Sequence, residues 1–132
     1  PSNHLGGLTT GGLGKTDSGI AGTIGGVSRE FYQRLRRHYE RPGTWVHETR
    51  EAFMQEGPNG RNPALAADGD AQWAFEPHAA KAVYEAMLAE AGVPVVMEDR
   101  LVLKRGAGVR MNGDRIEAIV TEAGNVYRGR IF

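Results

Sequence analysis

The sequence predicts a mixed α/β fold in which helices precede a C-terminal antiparallel β-meander. Residues 28–41 and 76–92 carry apolar side chains at helical spacing. After residue 92, short apolar runs alternate with turn residues, which is typical of strands. The 132 residues are the usual length of one domain. We therefore expect a single domain with a glycine-rich segment, residues 1–27, a helical segment, residues 28–92, and a β segment, residues 93–132.

The composition excludes several classes of protein. Sixteen basic and sixteen acidic residues cancel, so the net charge gives no reason to expect nucleic acid or an anionic membrane as a partner. The chain has no cysteine, which excludes disulfides, thiolate metal sites and a cysteine nucleophile. No apolar run approaches the roughly 18 residues of a membrane helix, and no secretory signal is visible. We therefore expect a cytoplasmic protein.

The amino-terminal segment is unusually rich in glycine. Nine of the 19 glycines lie within the first 26 residues, and no helical or strand periodicity is visible there. Glycine has the most backbone entropy to lose on folding. We therefore expect this segment to be ordered by lying against something else, such as a ligand.

The sequence Gly14-Lys15-Thr16 is the ending of a Walker A motif, which would indicate a nucleotide hydrolase. The motif also requires a glycine where this chain has Thr9, a preceding strand and a following helix. The flanking sequences PSNHLGGL and DSGIAGTIGG are neither. We therefore interpret Lys15 as an ordinary exposed lysine and Asp17 as a partner of its own turn, and a nucleotide hydrolase remains only an alternative.

The first predicted helix has the sequence SREFYQRLRRHYE, with Ser28 as N-cap and Glu30 in the first turn. Pro42-Gly43 would end it. Its arginines are interpreted as a solvated face paired with Glu30 and Glu40, not as a nucleic-acid surface. Its apolar stripe consists of Phe31, Leu35 and Tyr39.

A second helix is predicted from Pro77, which suits a first helical turn, to Gly92, which suits a helix end before Pro94. Between the two helices we expect a short helix around 46–54 and a long loop over 56–70. The apolar face of the second helix consists of Ala80, Val83, Tyr84, Met87, Leu88 and Ala91.

The segment after residue 92 is predicted to form β-strands. Asn112-Gly113 is a favoured two-residue hairpin turn, and the last strand runs to the chain end, which suggests that the natural chain continues. A strand edge left without its neighbour would favour self-association. We expect strands over 93–97, 101–104, 109–111, 116–121 and 126–132.

The histidines give no clear site. His78, at the start of the second helix, is either a proton donor near substrate or a residue that hydrogen-bonds locally, and we favour the local role. His4, His38 and His47 have no ligand spacing, so no metal site is expected. The aromatic residues Trp73 and Phe75 are most simply core or interface residues.

Four blocks carry a resemblance to a known family. In order they are HLGGLTTGGLGKTDSG, IGGVSREFYQRLRRHY, WAFEPHAAKAVYEAMLAEAGV and GDRIEAIVTEAGNVYRGRIF. They resemble FAD-dependent oxidoreductases of the two-dinucleotide-binding-domain flavoprotein group, related to glutathione reductase and the succinate dehydrogenase flavoprotein. The resemblance implies part of an FAD-binding Rossmann-like domain, α+β as a fragment. The implied activity is transfer of hydride or electrons between a small organic substrate and flavin.

The family begins with a strand and a G-x-G-x-x-G turn that hold the cofactor pyrophosphate, and this chain has neither. The resemblance therefore implies an internal piece that alone binds FAD weakly or not at all and is inactive. The alternative is a complete, non-catalytic α/β module that binds a small ligand or another protein.

The resemblance assigns cofactor contacts but no catalytic residue. Lys15 stands where relatives often carry an aromatic or other large residue, which weakens any side-chain role there. The block that lies along the flavin in the family is matched by Gly6, Gly7, Thr9, Thr10, Gly11 and Gly12. The start of the next helix, close to the same cofactor, is matched by Gly25, Gly26 and Ser28. The strand whose backbone faces the adenine is matched by Leu101 and Val102.

Overall fold

The computed structural model describes residues 3–15, 19–55, 57, 65 and 69–132. The predicted loop over 56–70 and the residues Thr16 and Asp17 therefore lie largely or wholly outside the described residues. The chain divides into two compact units. The first unit is residues 5–93, and the second is residues 94–132 together with residues 1–4. The first is helical and the second contains an antiparallel sheet, which confirms the predicted mixed α/β class.

The described part of the first unit contains four α-helices and one 3-10 turn. The helical turns before residue 26 were not predicted, because glycine-rich sequence carries no apolar periodicity to reveal them. The short helix near residue 50 is shorter than the expected 46–54. The elements are α1 (Gly7–Thr10), the 3-10 turn (Ala21–Thr23), α2 (Gly26–His38), α3 (Arg50–Gln55) and α4 (Pro77–Ala91).

The start of α2 differs from the prediction. Gly25 is the N-cap residue, in extended conformation at φ −131° and ψ −172°, and its carbonyl accepts a hydrogen bond from the Arg29 N–H at 3.3 Å. Ser28 therefore lies inside the helix, so the prediction that Ser28 is the N-cap and Glu30 part of the first turn is wrong. A serine is the better N-cap by propensity, but the glycine backbone already turns into the helix before it.

The core of the first unit lies between α2 and α4. The predicted stripe is confirmed, since Phe31, Leu35 and Tyr39 are each no more than 4% exposed. The Phe31 ring stacks on Tyr84 with ring centroids 4.6 Å apart. The helix α4 begins with Pro77 and is capped at its C-terminal end by Gly92, which has a left-handed φ of 61°, so both predicted helix limits are confirmed. The same core contains Phe75, Ala79, Ala80 and Val83.

Ion pairs fix the outer side of α2. Arg34 contacts Glu30 at 2.5 Å and Arg36 contacts Glu40 at 3.4 Å, which confirms the predicted pairing. The two arginine side chains are only 21% and 13% exposed, so the prediction of a solvated face is wrong for them. Arg34 also contacts Glu90 of α4 at 2.6 Å. Because Glu90 is near the end of α4 and Arg34 is mid-way along α2, this pair ties the two helices together.

The second unit contains the sheet. Strands β1 (Val109–Asn112), β2 (Arg115–Val120) and β3 (Val126–Arg128) are antiparallel in that order. Asn112 pairs with Arg115, so the hairpin turn is Gly113-Asp114 and not the predicted Asn112-Gly113. Gly113 has the positive φ of 59° that this turn requires. The last strand ends at Arg128, before the predicted limit of residue 132.

Two predicted strands are missing or reduced. Residues 93–97 form no strand, and their apolar side chains are exposed. A strand requires a neighbour to pair with, and no described segment pairs with this one. Residues 101–104 are reduced to one antiparallel bridge between Leu101 and Thr121.

Replacing Leu35 with alanine should lower the free energy of unfolding by about 2–5 kcal/mol. The side chain is 0% exposed, so its removal leaves a cavity between α2 and α4. Denaturant unfolding measures the effect. Val27→Ala on the same helix is the control, because Val27 is 71% exposed and should change stability by less than about 0.5 kcal/mol. Equal losses in both variants would contradict this packing.

The protein should lose stability in acid as the Asp99 carboxylate becomes protonated. This carboxylate is held by Thr121, by the Asn125 amide at 2.9 Å and by the Tyr127 hydroxyl at 2.8 Å, and these hydrogen bonds lower the pKa of Asp99 from its ordinary value of 3.8. The stabilisation is therefore present above that value and is lost as pH falls through the lower, folded-state pKa.

Asp99→Asn should flatten the fall of the melting temperature on the acid side, between about pH 5 and pH 1. Asp114→Asn, in the exposed hairpin turn, should keep the wild-type slope. A slope that is unchanged in the Asp99 variant would show that the carboxylate contributes nothing.

Candidate functional site

The glycine-threonine block forms a tight turn around α1. Thr10 is only 2% exposed, and its hydroxyl donates a hydrogen bond to the Leu5 carbonyl. Thr9 is half-buried and its N–H donates to the Gly6 carbonyl at 3.1 Å. The threonines therefore shape the turn, and Thr10 has its hydroxyl occupied by the main chain.

The glycines of this block fall into two groups. A Cβ on Gly6 would lie 2.4 Å from the Thr10 methyl, and a Cβ on Gly11 would lie 2.8 Å from the Gly7 carbonyl oxygen. The fold itself therefore requires these two glycines. Gly7 and Gly12 have positive φ, but no described atom lies within 4 Å of the place of a Cβ. Their main chain is open to an approaching ligand.

The start of α2 is equally open. Gly25, Gly26 and Ser28 are all exposed, and no side chain caps the helix. Gly26 needs glycine for its φ of 58°. Gly25 has an ordinary extended backbone, and no described atom lies within 4 Å of the place of a Cβ. Neither backbone strain nor described packing therefore explains the glycine at position 25.

Both glycine blocks approach the same residue of α4. A Cβ on Gly6 would lie 3.1 Å from the Tyr84 ring, and Tyr84 also lines a cavity of about 140 Å³ together with Val27 and Ser28 of α2. The structure thus brings the two amino-terminal blocks together over Tyr84. Apolar side chains in these blocks stay in solvent, namely Leu8, Leu13, Ile20 and Val27, which are 60–77% exposed.

Gly14 and Lys15, which match the end of a Walker A motif, pair with residues 74 and 75 instead. Lys15 forms an antiparallel bridge with Ala74, and the Phe75 N–H donates to the Gly14 carbonyl at 2.7 Å. A Cβ on Gly14 would lie 2.4 Å from the Phe75 oxygen. Gly14 is therefore required by strand-like pairing, and Lys15 itself takes part in the β-bridge.

The matched adenine-facing residues lie in the second unit. Leu101 and Val102 are both half-buried. The Val102 N–H donates to the Val120 carbonyl at 3.0 Å, and the Glu122 N–H donates to the Arg100 carbonyl at 2.7 Å. Leu101 lies between these bonds at a non-hydrogen-bonded position of the antiparallel pair, so its own N–H and C=O point away from β2.

Sequence reasoning missed a polar cluster around Glu76. The Glu76 carboxylate accepts a hydrogen bond from the Tyr39 hydroxyl at 3.2 Å, and the Glu76 N–H donates to that hydroxyl at 2.8 Å. His47 and His78 lie 3.2 and 3.9 Å from the same carboxylate. The separation of 3.9 Å is too long for a hydrogen bond, so the expected local hydrogen bond of His78 stays a prediction. The pairing of Tyr39 with Glu76 joins residues 37 apart in sequence, which no local pattern could reveal.

Two kinds of site are absent from the part of the chain that the structure describes. No three His, Cys, Asp or Glu side chains are grouped so that they could hold a metal ion. None of the described helices combines the length and apolar character needed to cross a bilayer.

The structure is a mixed α/β fold with an exposed, glycine-rich surface. Comparison with known families identifies it further. The family described as FAD dependent oxidoreductase matches residues 1–132. The chain belongs to this family, which gives it a general redox function with FAD as the family's cofactor. No curated protein and no solved structure is significantly similar to it.

The open surface fits such a cofactor. Gly7, Gly12, Gly25 and Gly26 leave space where a Cβ would otherwise stand, and the neighbouring exposed apolar side chains suit a flat aromatic ring. The residues that the resemblance assigned to the flavin side therefore include four with room for it, while Gly6, Thr10 and Gly11 act within the fold.

The Tyr39 hydroxyl should ionise at a higher pH than an ordinary tyrosine. The protein should therefore lose stability in alkali. Burial is the main cause that raises the pKa of Tyr39 to about 12; the Glu76 N–H acts against it, and the Glu76 carboxylate acts with it. The folded chain therefore keeps this proton after the unfolded chain has lost it, so stability falls as pH rises from about 10 to 12. Ultraviolet titration should find an ionisation near 12 that is absent from Tyr39→Phe. The variant should also lose less stability over this range, and identical slopes would contradict the assignment.

Proposed function

We propose that this chain supplies part of the FAD-binding surface of an oxidoreductase that transfers hydride or electrons between a small organic substrate and the flavin. The observation that carries the proposal is Gly25. It is a glycine that neither backbone conformation nor described packing requires, and it lies in a chain that belongs to an FAD-dependent family. A cofactor lying against the main chain supplies the missing reason for it.

In this proposal the chain acts mainly through its backbone. Gly7 and Gly12 of the first block and Gly25 and Gly26 at the start of α2 let the cofactor approach main-chain N–H groups. The amino end of α2 adds its positive dipole, which favours an anionic or electron-rich group. Bound FAD supplies the redox chemistry, while the protein supplies binding and orientation.

The exposed apolar side chains have a role in the same arrangement. Leu8 and Val27 are 76% and 71% exposed, which is costly unless a partner covers them. Covering by a flat ring would remove water from the cofactor's face. Dry surroundings strengthen the electrostatic interactions that act on a developing charge.

In the second unit, the resemblance assigns an adenine contact to Leu101. Its N–H and C=O point away from β2 and are free to meet a base edge, and this contact would depend little on the leucine side chain. Val102, whose N–H already donates to Val120, would hold the segment in place.

We infer further that the chain by itself binds FAD weakly, because it contains no G-x-G-x-x-G turn to hold the pyrophosphate. The flavoprotein group related to glutathione reductase is the subclass that the sequence blocks favour. Self-association through the edges of the three-stranded sheet is a further proposal, supported by the position of β1 and β3, each of which pairs with only one other named strand, β2.

Weak binding can be mapped by heteronuclear NMR on a 14.3 kDa chain. Flavin mononucleotide at millimolar concentration should shift the amide signals of Gly7, Gly12 and Gly26. Adenosine diphosphate should leave these unchanged and shift Leu101 instead. Shifts at the same residues with both ligands would contradict the assigned orientation, and no shift with either would refute the cofactor surface.

Gly25→Ser separates cofactor binding from folding. The serine hydroxyl can cap α2, so the variant should be as stable as wild type or more stable by a few tenths of a kcal/mol. Its Cβ should nevertheless reduce the flavin-induced shifts. Gly22→Ser is the control, since no described atom lies near the place of its Cβ either and no cofactor contact is assigned to it. Full flavin response in Gly25→Ser would remove the main support for the proposal.

A further inference from the structure

A second cavity, of about 220 Å³, lies in the first unit, away from the residues assigned to the cofactor. It is lined by Gly14, by Tyr39 just after α2, by residues 45–48, by Phe53 of α3, and by Gln72, Ala74, Phe75 and Glu76. Pockets for drug-sized ligands usually measure about 300–1,000 Å³. This cavity therefore suits a smaller molecule with a single ring.

Aromatic rings make up much of its lining, contributed by Tyr39, Trp45, Phe53 and Phe75. The Trp45 ring lies 5.0 Å from Tyr39 and 5.1 Å from Phe53, centroid to centroid. The indole N–H of Trp45 donates to the Tyr39 carbonyl at 2.8 Å, which fixes the ring in the wall. Fixed aromatic rings attract both other rings and organic cations.

Gln72 adds an unused hydrogen-bond acceptor. The residue is 1% exposed and lines the cavity. Its side-chain Nε2 donates to the Ala74 carbonyl at 3.0 Å. Because a carbonyl can only accept, this bond fixes the orientation of the amide. The Oε1 atom is left buried without a hydrogen-bond partner among the described residues, and such an atom is costly unless a donor reaches it.

The charge of the lining points to the same kind of ligand. Glu76 and Glu48 are its two carboxylates, and the described residues that line it include neither lysine nor arginine. Of the groups around Glu76, His47 is the nearest basic one, at 3.2 Å, and its side chain is 82% exposed and able to move aside. A ligand that donates hydrogen bonds and carries positive charge would meet acceptors on both Gln72 and Glu76.

From these contacts we propose that this cavity binds a small organic ammonium compound with one ring. The ring lies among the aromatic side chains, and the ammonium group donates to Gln72 Oε1 and to the Glu76 carboxylate. This proposal does not depend on the cofactor surface, because no residue assigned to FAD lines the cavity.

Benzylamine is the probe, and benzyl alcohol is its neutral counterpart of nearly the same shape. NMR titration of the 132-residue chain should shift the indole signal of Trp45, which lines the cavity, and leave that of Trp73, which does not. Benzylamine should bind at least about tenfold more tightly than benzyl alcohol, the factor that corresponds to one lost charged contact.

Two variants test the two acceptors. Glu76→Gln removes the charge and Gln72→Leu removes the amide oxygen, and each should weaken benzylamine binding about tenfold or more with little effect on benzyl alcohol. Glu51→Gln is the matched control, because Glu51 is exposed on α3 and does not line the cavity, so this change should matter less than about twofold. Circular dichroism and melting checks confirm that each variant is folded.

Equal affinity for the alcohol and the amine would overturn the proposal, as would full binding by Glu76→Gln or no shift of the Trp45 signal at millimolar benzylamine. If Glu76→Gln does not fold, the comparison of benzylamine with benzyl alcohol in the wild-type chain still decides the question. Failure here leaves the flavin-induced glycine shifts unaffected, so the two proposals are tested separately.

Discussion

The packing of α2 against α4 is the contact on which the other features depend. The Phe31–Tyr84 stack joins the helices near the middle of α2, and the Tyr39–Glu76 hydrogen bonds join the residue after α2 to the residue before α4. The helices therefore run antiparallel. A helix of 13 residues is about 20 Å long, so α2 places the open glycine surface at one end and the aromatic cavity at the other.

The glycines illustrate how one residue type can serve different purposes. Gly6, Gly11 and Gly14 are required by contacts inside the fold, and replacing them would disturb the turn or its pairing. Gly25 has no such contact. A count of glycines cannot separate these cases, since the distinction depends on what surrounds each missing Cβ. The functional interpretation of the segment therefore depends on the glycines that the fold does not need.

Local pattern explains what the sequence could predict. The stripe of Phe31, Leu35 and Tyr39 and the limits of α4 follow from spacing, proline and glycine, and these were found. The N-cap at Ser28 was misplaced because an uncapped glycine start has no sequence signature. The prediction of a strand over 93–97 was wrong because apolar composition does not reveal whether a pairing partner exists. The family resemblance located the glycine surface. It could not distinguish glycines with free space at the Cβ position from glycines where a Cβ would clash with the fold.

No local sequence pattern could have predicted the aromatic cavity. Its walls come from Tyr39 just after α2, from residues 45–48 and from residues 72 and 74–76, and each part alone looks like ordinary core or loop. Trp45 and Gln72 become informative only when the fold sets a rigid aromatic wall beside a buried, unpaired oxygen. Burying such an oxygen works against stability, while the Nε2 atom of the same amide has a structural partner in the Ala74 carbonyl. The hydrogen bond of Nε2 is explained by the fold, and the unpaired Oε1 atom is the part of Gln72 that a bound donor would explain.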